Sequence, residues 1–204
     1  MIRNLLAYAT LAALAACSQG ESDTAADTEA STPAAVGGEA VTAYEPFFDQ
    51  RWPQGVPVTP EEVSAILDEQ GAQAIEAMAT APAPNRWNTV LRGIASGEPG
   101  WLAIAPTIMA GADGGNGEEV SMALTDALTT NPEAALALIA AQPDGGAGYC
   151  ADPGYETPAE QVRAFYAAAR ASVESVTDPE LQPAKAACLA ELRSSEAAAT
   201  ANAD

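Results

Sequence analysis

Thr59-Pro60-Glu61-Glu62-Val63-Ser64-Ala65-Ile66-Leu67 decides the fold class. A threonine, a proline at the next position and a glutamate three residues after the threonine form a capping box. The hydroxyl and the carboxylate are spaced to satisfy two backbone N–H groups that a helix start otherwise leaves open. Val63, Ile66, Leu67, Ala74 and Met78 follow at helical spacing, which predicts one helix running to about residue 79.

The same grammar continues downstream. Trp87, Val90, Leu91 and Ile94 stand at i, i+3, i+4 and i+7, with Gly97 as a stop. Residues 101–109 are apolar nearly all round, which predicts a central helix that Pro106 kinks or shortens. Val120, Ala123, Leu124, Ala127 and Leu128 mark another stripe, and Asn131-Pro132-Glu133 opens a helix with Leu136 and Ile139 inward. Thr157-Pro158-Ala159-Glu160 reads as a second capping box, ahead of Val162, Phe165, Tyr166, Ala169, Val173 and Val176. Asp178-Pro179 starts the last helix, with Leu181, Ala184, Cys188 and Leu192 on one face. No window alternates with period two. The expected fold is all-α, with about six or seven amphipathic helices in an irregular bundle or a short solenoid-like array of helix hairpins.

The second arrangement rests on an internal echo. Leu91, Glu98-Pro99 and Trp101-Leu102 return 33 residues later as Leu124, Asn131-Pro132 and Ala134-Ala135. That period suits stacked helix hairpins, yet two proline-started helices align this way without duplication. Bundle and array both stay open.

The flanks read differently. Residues 17–43 hold Ala, Gly, Ser, Thr, Pro and acids with hardly any large apolar side chain, too little to offset the entropy of ordering. They are expected to form a flexible acidic tether with a reach of roughly 25–30 Å. Residues 44–58 carry Tyr44, Phe47, Phe48 and Trp52 among prolines, an extended arm expected to pack onto the helical domain of residues 59–194. Residues 195–204 are small and polar and are expected to be disordered.

Charge narrows the partners. The chain has 204 residues, 28 acids, 8 bases and a formal net charge of −20. Such a field repels nucleic acid and anionic headgroups, so no nucleic-acid partner is expected. Histidine is absent, which removes the commonest general base and transition-metal ligand together.

At the other end of the chain, Arg3 precedes an apolar run from Leu5 to Ala16, too short for a permanent bilayer span and suited to a signal-peptide core. It closes on Leu14-Ala15-Ala16-Cys17, which resembles the lipobox of bacterial lipoproteins. The resemblance implies that residues 1–16 are a lipoprotein signal peptide and that Cys17 becomes the lipidated first residue of the mature protein. Ser18, where inner-membrane retention usually shows Asp, implies sorting to the outer membrane, facing the periplasm. The body is similar to small proteobacterial lipoproteins, a likeness that adds no mechanism. The membrane, held through the N-terminal lipid, and another envelope protein are the partners this implies.

With Cys17 lipidated, Cys150 and Cys188 remain as an even pair in an oxidising compartment, which favours a disulfide. Cys150 falls in the Pro/Gly-rich connection 142–157 and Cys188 on an apolar stripe, so the bridge would pin that connection to the last helix.

Candidates for chemistry are few. Asp113, Asn116, Glu118 and Glu119 lie in the segment Gly111-Ala112-Asp113-Gly114-Gly115-Asn116-Gly117-Glu118-Glu119, which invites a calcium reading because hard cations want clustered oxygens. Gly115 and Gly117 stand where an EF-hand loop needs its next ligands, so these residues are weak metal candidates. The plainer reading makes them a helix start, with Asp113 as its cap. Ser96 ends a helix where a nucleophile elbow would link strand to helix, and Lys185 is the only lysine to serve it. No catalytic residue, metal or cofactor is expected. Trp87, Trp101, Phe165 and Tyr166 stand at helical spacing and read as core. The functional expectation is a lipid-anchored, non-enzymatic binding or structural module. The alternative is a small-ligand or calcium-binding lipoprotein that uses its acidic Gly-rich loops.

Overall fold

The structure, a computed structural model, describes residues 51–142, 146–151 and 157–201, all within one compact unit. The expected signal peptide, Cys17 and the tether fall outside the described residues, as does the start of the aromatic arm. Among the described residues there are eight α-helices and no strand. They are α1 (Pro60–Gln70), α2 (Ala72–Ala79), α3 (Arg86–Ala95), α4 (Pro99–Gly111), α5 (Gly114–Thr130), α6 (Pro132–Ala140), α7 (Ala159–Ser175) and α8 (Gln182–Ala201). Short 3₁₀ turns cover Ala147–Cys150 and Pro179–Leu181.

The first capping box forms as its sequence dictates. The backbone N–H of Glu62 donates to Thr59 Oγ1 at 3.3 Å, and that of Thr59 donates to Glu62 Oε2 at 2.9 Å. The helix then stops early. Gly71 has φ 62° and ψ −146°, outside the α-helical region and costly for any residue with a Cβ, so the expected single helix to residue 79 divides into α1 and α2. This division takes the count to eight, above the six or seven expected. Pro106 does not shorten the central helix. α4 continues through it to Gly111, with Ala105 and Ile108 fully buried on either side.

The second capping box does not form. Pro158 occupies the cap position of α7 without a side-chain bond, and the Thr157 hydroxyl instead accepts from Arg51 Nη2 at 3.2 Å. The expected disordered tail is also displaced. α8 runs on to Ala201, because Arg170 on α7 pairs with Glu196 and Ala199 packs against the core. Two turns of helix thus find partners that a local reading of small polar residues does not reveal.

One core runs through the unit, from Trp52 and Val63 to Cys188 and Leu192. Trp87, Trp101, Phe165 and Tyr166 are all buried in it, the last two edge-to-face with centroids 5.4 Å apart. α5 is its axis, packed against α3, α4, α6 and α7. α3 and α5 run parallel. Near their starts Trp87 Nε1 donates to Glu119 Oε2 at 2.6 Å, and at their ends Thr130 Oγ1 donates to the Ala95 carbonyl at 2.9 Å. Asn131 Nδ2 then donates to the Gly97 carbonyl at 2.9 Å. These bonds join residues 32, 35 and 34 apart in sequence, close to the 33-residue echo. α4 and α6 pack on each other in the same step, as do α5 with α7 and α6 with α8.

Candidate functional site

The most concentrated polar cluster lies where the arm meets the last turns of α5. Asp126 is buried at 3% exposure, flanked on its helix by the buried Thr125 and Ala127. Its carboxylate accepts from Trp52 Nε1 at 2.9 Å and from Arg51 Nη1 at 3.3 Å. Arg51 also reaches Thr157, and Arg92 Nη1 donates to the Trp52 carbonyl at 2.8 Å. Further along, the Val56 backbone exchanges bonds with the Asn85 carbonyl and the Thr89 hydroxyl. An anion in this setting is stable because it is both paired and hydrogen-bonded. The arrangement fastens residues 51–58 to the helices. Its chemistry is that of a clamp.

The cysteine loop is fastened to the same helix. Cys150 and Cys188 are joined in a disulfide, fully buried, with Cα atoms 5.4 Å apart. On either side of Cys150, the Tyr149 carbonyl accepts from Thr125 Oγ1 at 3.0 Å and the Ala151 carbonyl from the Tyr166 hydroxyl at 2.8 Å. The 3₁₀ turn and the residue after it are thereby held by one covalent and two hydrogen bonds.

The acidic Gly-rich segment behaves otherwise. Asp113 is exposed at the cap position of α5, and its side chain makes no capping bond. Glu118 is exposed as well, while Glu119 turns inward to the Trp87 indole. Asp113 and Asn116 line a shallow cavity of about 260 Å³ with Gln73 and Glu76, and Glu118 and Glu119 are not among its lining residues. The four candidates are therefore not brought together: Asp113 and Asn116 line a solvent-facing cavity, Glu118 is exposed outside it, and Glu119 makes a structural bond. Among the described residues, no group of three or more Asp, Glu, Cys or His side chains is placed to hold a metal.

Ser96 and Lys185 are also taken up locally. Ser96 Oγ donates to the Gly93 carbonyl at 2.6 Å, and Lys185 Nζ donates to the carbonyls of Glu174 and Val176 as they leave α7. Among the described residues, no fully buried side-chain nitrogen or oxygen lacks a hydrogen-bond partner.

Asp126 was the polar residue that periodicity passed over. The signal was present: an acid inside an apolar stripe cannot stay charged without a cation or donor, and Arg51-Trp52 in the arm offers both. No protein-family model matches the chain, and no curated protein or solved structure shows significant similarity to it. Among the described residues no helix is long and apolar enough to cross a membrane.

Proposed function

We propose that this protein is a lipid-anchored component of the bacterial cell envelope, acting as a binding or structural module through its helical surface. The observation that carries the reading is Leu14-Ala15-Ala16-Cys17 behind a short apolar run. In this reading Cys17 bears the lipid, the tether of residues 17–43 gives the domain lateral reach, and the outer membrane is the site of attachment. The repeating packing step between α3–α4 and α5–α6 supports the finer description of the bundle as a short array of helix hairpins. Arrays of that kind work by presenting grooves between successive helices.

Fractionation tests the anchor. Wild-type protein should stay with membranes through a high-salt wash, since lipoproteins of this type carry several acyl chains. Cys17→Ser should release it to the soluble periplasm. A Cys17→Ser protein that still sediments with membranes would refute the lipid anchor.

The second reading is a small-ligand or calcium-binding lipoprotein, favoured by the cavity that Asp113 and Asn116 share with Gln73 and Glu76. Calcium that raises the melting temperature of wild type, with no effect from magnesium or in Asp113→Ala, would promote it.

A further inference from the structure

A different groove lies on the first hairpin. It has a volume of about 390 Å³, and its apolar lining includes Val56, Ile66, Ala77, Met78, Pro82 and Pro84. Among the described residues Val56 is the only large apolar side chain classed as exposed, at 39%. That exposed apolar side chain lines this groove. Acids outnumber bases on the hairpin around it. Residues 59–80 hold Glu61, Glu62, Asp68, Glu69 and Glu76, all exposed, and no base. Glu62 and Glu69 stand one turn before and after Ile66 on α1, which puts carboxylates along the rim of the apolar floor. Arg86, on the far wall, is the one basic residue that lines it.

We propose that this groove binds a basic amphipathic helical segment of another protein, with apolar anchors in the groove and Lys or Arg side chains over the α1 carboxylates. The inference rests on the binding-module reading and names the chemistry of its partner. Helix-in-groove recognition needs an apolar floor for anchors at i, i+3 and i+4, and a charged rim adds rate and orientation. Both are present on one hairpin. A second copy of this chain is a poor occupant, because two bodies of formal charge −20 repel. An anionic bilayer is repelled for the same reason.

The test uses the full chain carrying Cys17→Ser, purified in solution, and a synthetic helix with leucine at i, i+3, i+4 and i+7 and lysine elsewhere. A scrambled peptide of the same composition and vesicles of anionic lipid serve as comparisons. Binding should move the backbone amide resonances of Val56, Ile66 and Ala77 and leave those of α6 and α8 in place. Val56→Asp and Ala77→Glu alter exposed positions, so folding should persist, and each should weaken binding by about tenfold or more because a charge enters an apolar contact. Glu69→Lys should weaken it about threefold to fivefold, and Glu180→Lys, the same charge change elsewhere, should have little effect. Equal binding of the scrambled peptide, equal loss in Glu69→Lys and Glu180→Lys, preferential binding of the vesicles, or no binding of the helix at millimolar concentration would each overturn the proposal. Because binding is read in solution, its failure leaves the fractionation result standing, and a failed anchor leaves the groove result standing.

Discussion

The two ends of α5 carry acids of opposite fate. At the N-terminal end Asp113 and Glu118 face water, with no side-chain bond from Asp113 to the helix start. Near the C-terminal end Asp126 is buried under Trp52 and Arg51, next to Thr125, whose hydroxyl donates to the Tyr149 carbonyl of the cysteine loop. Sequence patterning draws the eye to the first end, where acids and glycines cluster. The structural demand falls on the second, where a lone acid sits in an apolar stripe. Clustered acids repel one another and stay solvated. A buried acid has to be matched, and matching it fixes the segment that supplies the partner.

The largest effect that separates the ends concerns the disulfide at the braced one. Opening the 38-residue separation between Cys150 and Cys188 should cost about 4 kcal/mol in the chain-entropy description. Cys150→Ser with Cys188→Ser should show this in denaturant titration, and an unchanged midpoint would mean the hydrogen bonds of Tyr149 and Ala151 suffice alone. Next comes Asp126→Ala, which leaves the Trp52 N–H and the Arg51 guanidinium without their carboxylate. A loss of about 3 kcal/mol is expected, at the low end for breaking a buried pair because Arg51 keeps some solvent. Proteolysis should then cut residues 51–58, which the wild type protects.

A smaller effect belongs to Glu119, the one acid at the open end with a buried partner. Glu119→Ala should cost about 1 kcal/mol through the orphaned Trp87 N–H. Glu119→Gln, which keeps an acceptor, should recover most of it in the same thermal melts. The smallest is Asp113→Ala. A lost cap would cost about 1 kcal/mol, but the Asp113 side chain caps nothing, so a change under about 0.5 kcal/mol is expected. A loss as large as that of Glu119→Ala would erase the contrast between the ends.

Much of this architecture was legible without coordinates. The Thr59–Glu62 capping box, the stripe around Leu91 and that around Leu124 each follow from contacts three and four residues apart, which a helix makes whatever else surrounds it. The helix that begins at Pro132 follows in the same way, with Asn131 capping it. The pairing of Cys150 with Cys188, present in the structure, was expected from the parity of the cysteines once the lipobox resemblance set Cys17 aside. Gly71 marks the limit of that reasoning: glycine is tolerated within helical patterns, and only the observed φ shows it dividing one helix into two. Thr157 marks it again. Its four-residue motif matches that at Thr59, yet Arg51, 106 residues away, takes its hydroxyl.

Local sequence thus determined where helices form and which faces are apolar, because those depend on neighbours within a turn or two. It also set the charge of the molecule. Tertiary structure alone decided that α3 and α5 lie parallel, that Asp126 closes on Arg51 and Trp52, and that α8 runs to Ala201 against Arg170. Each of these depends on burial shared between distant segments. Desolvation sets its cost, and whether a charge is desolvated is a property of the packed chain and of no stretch within it.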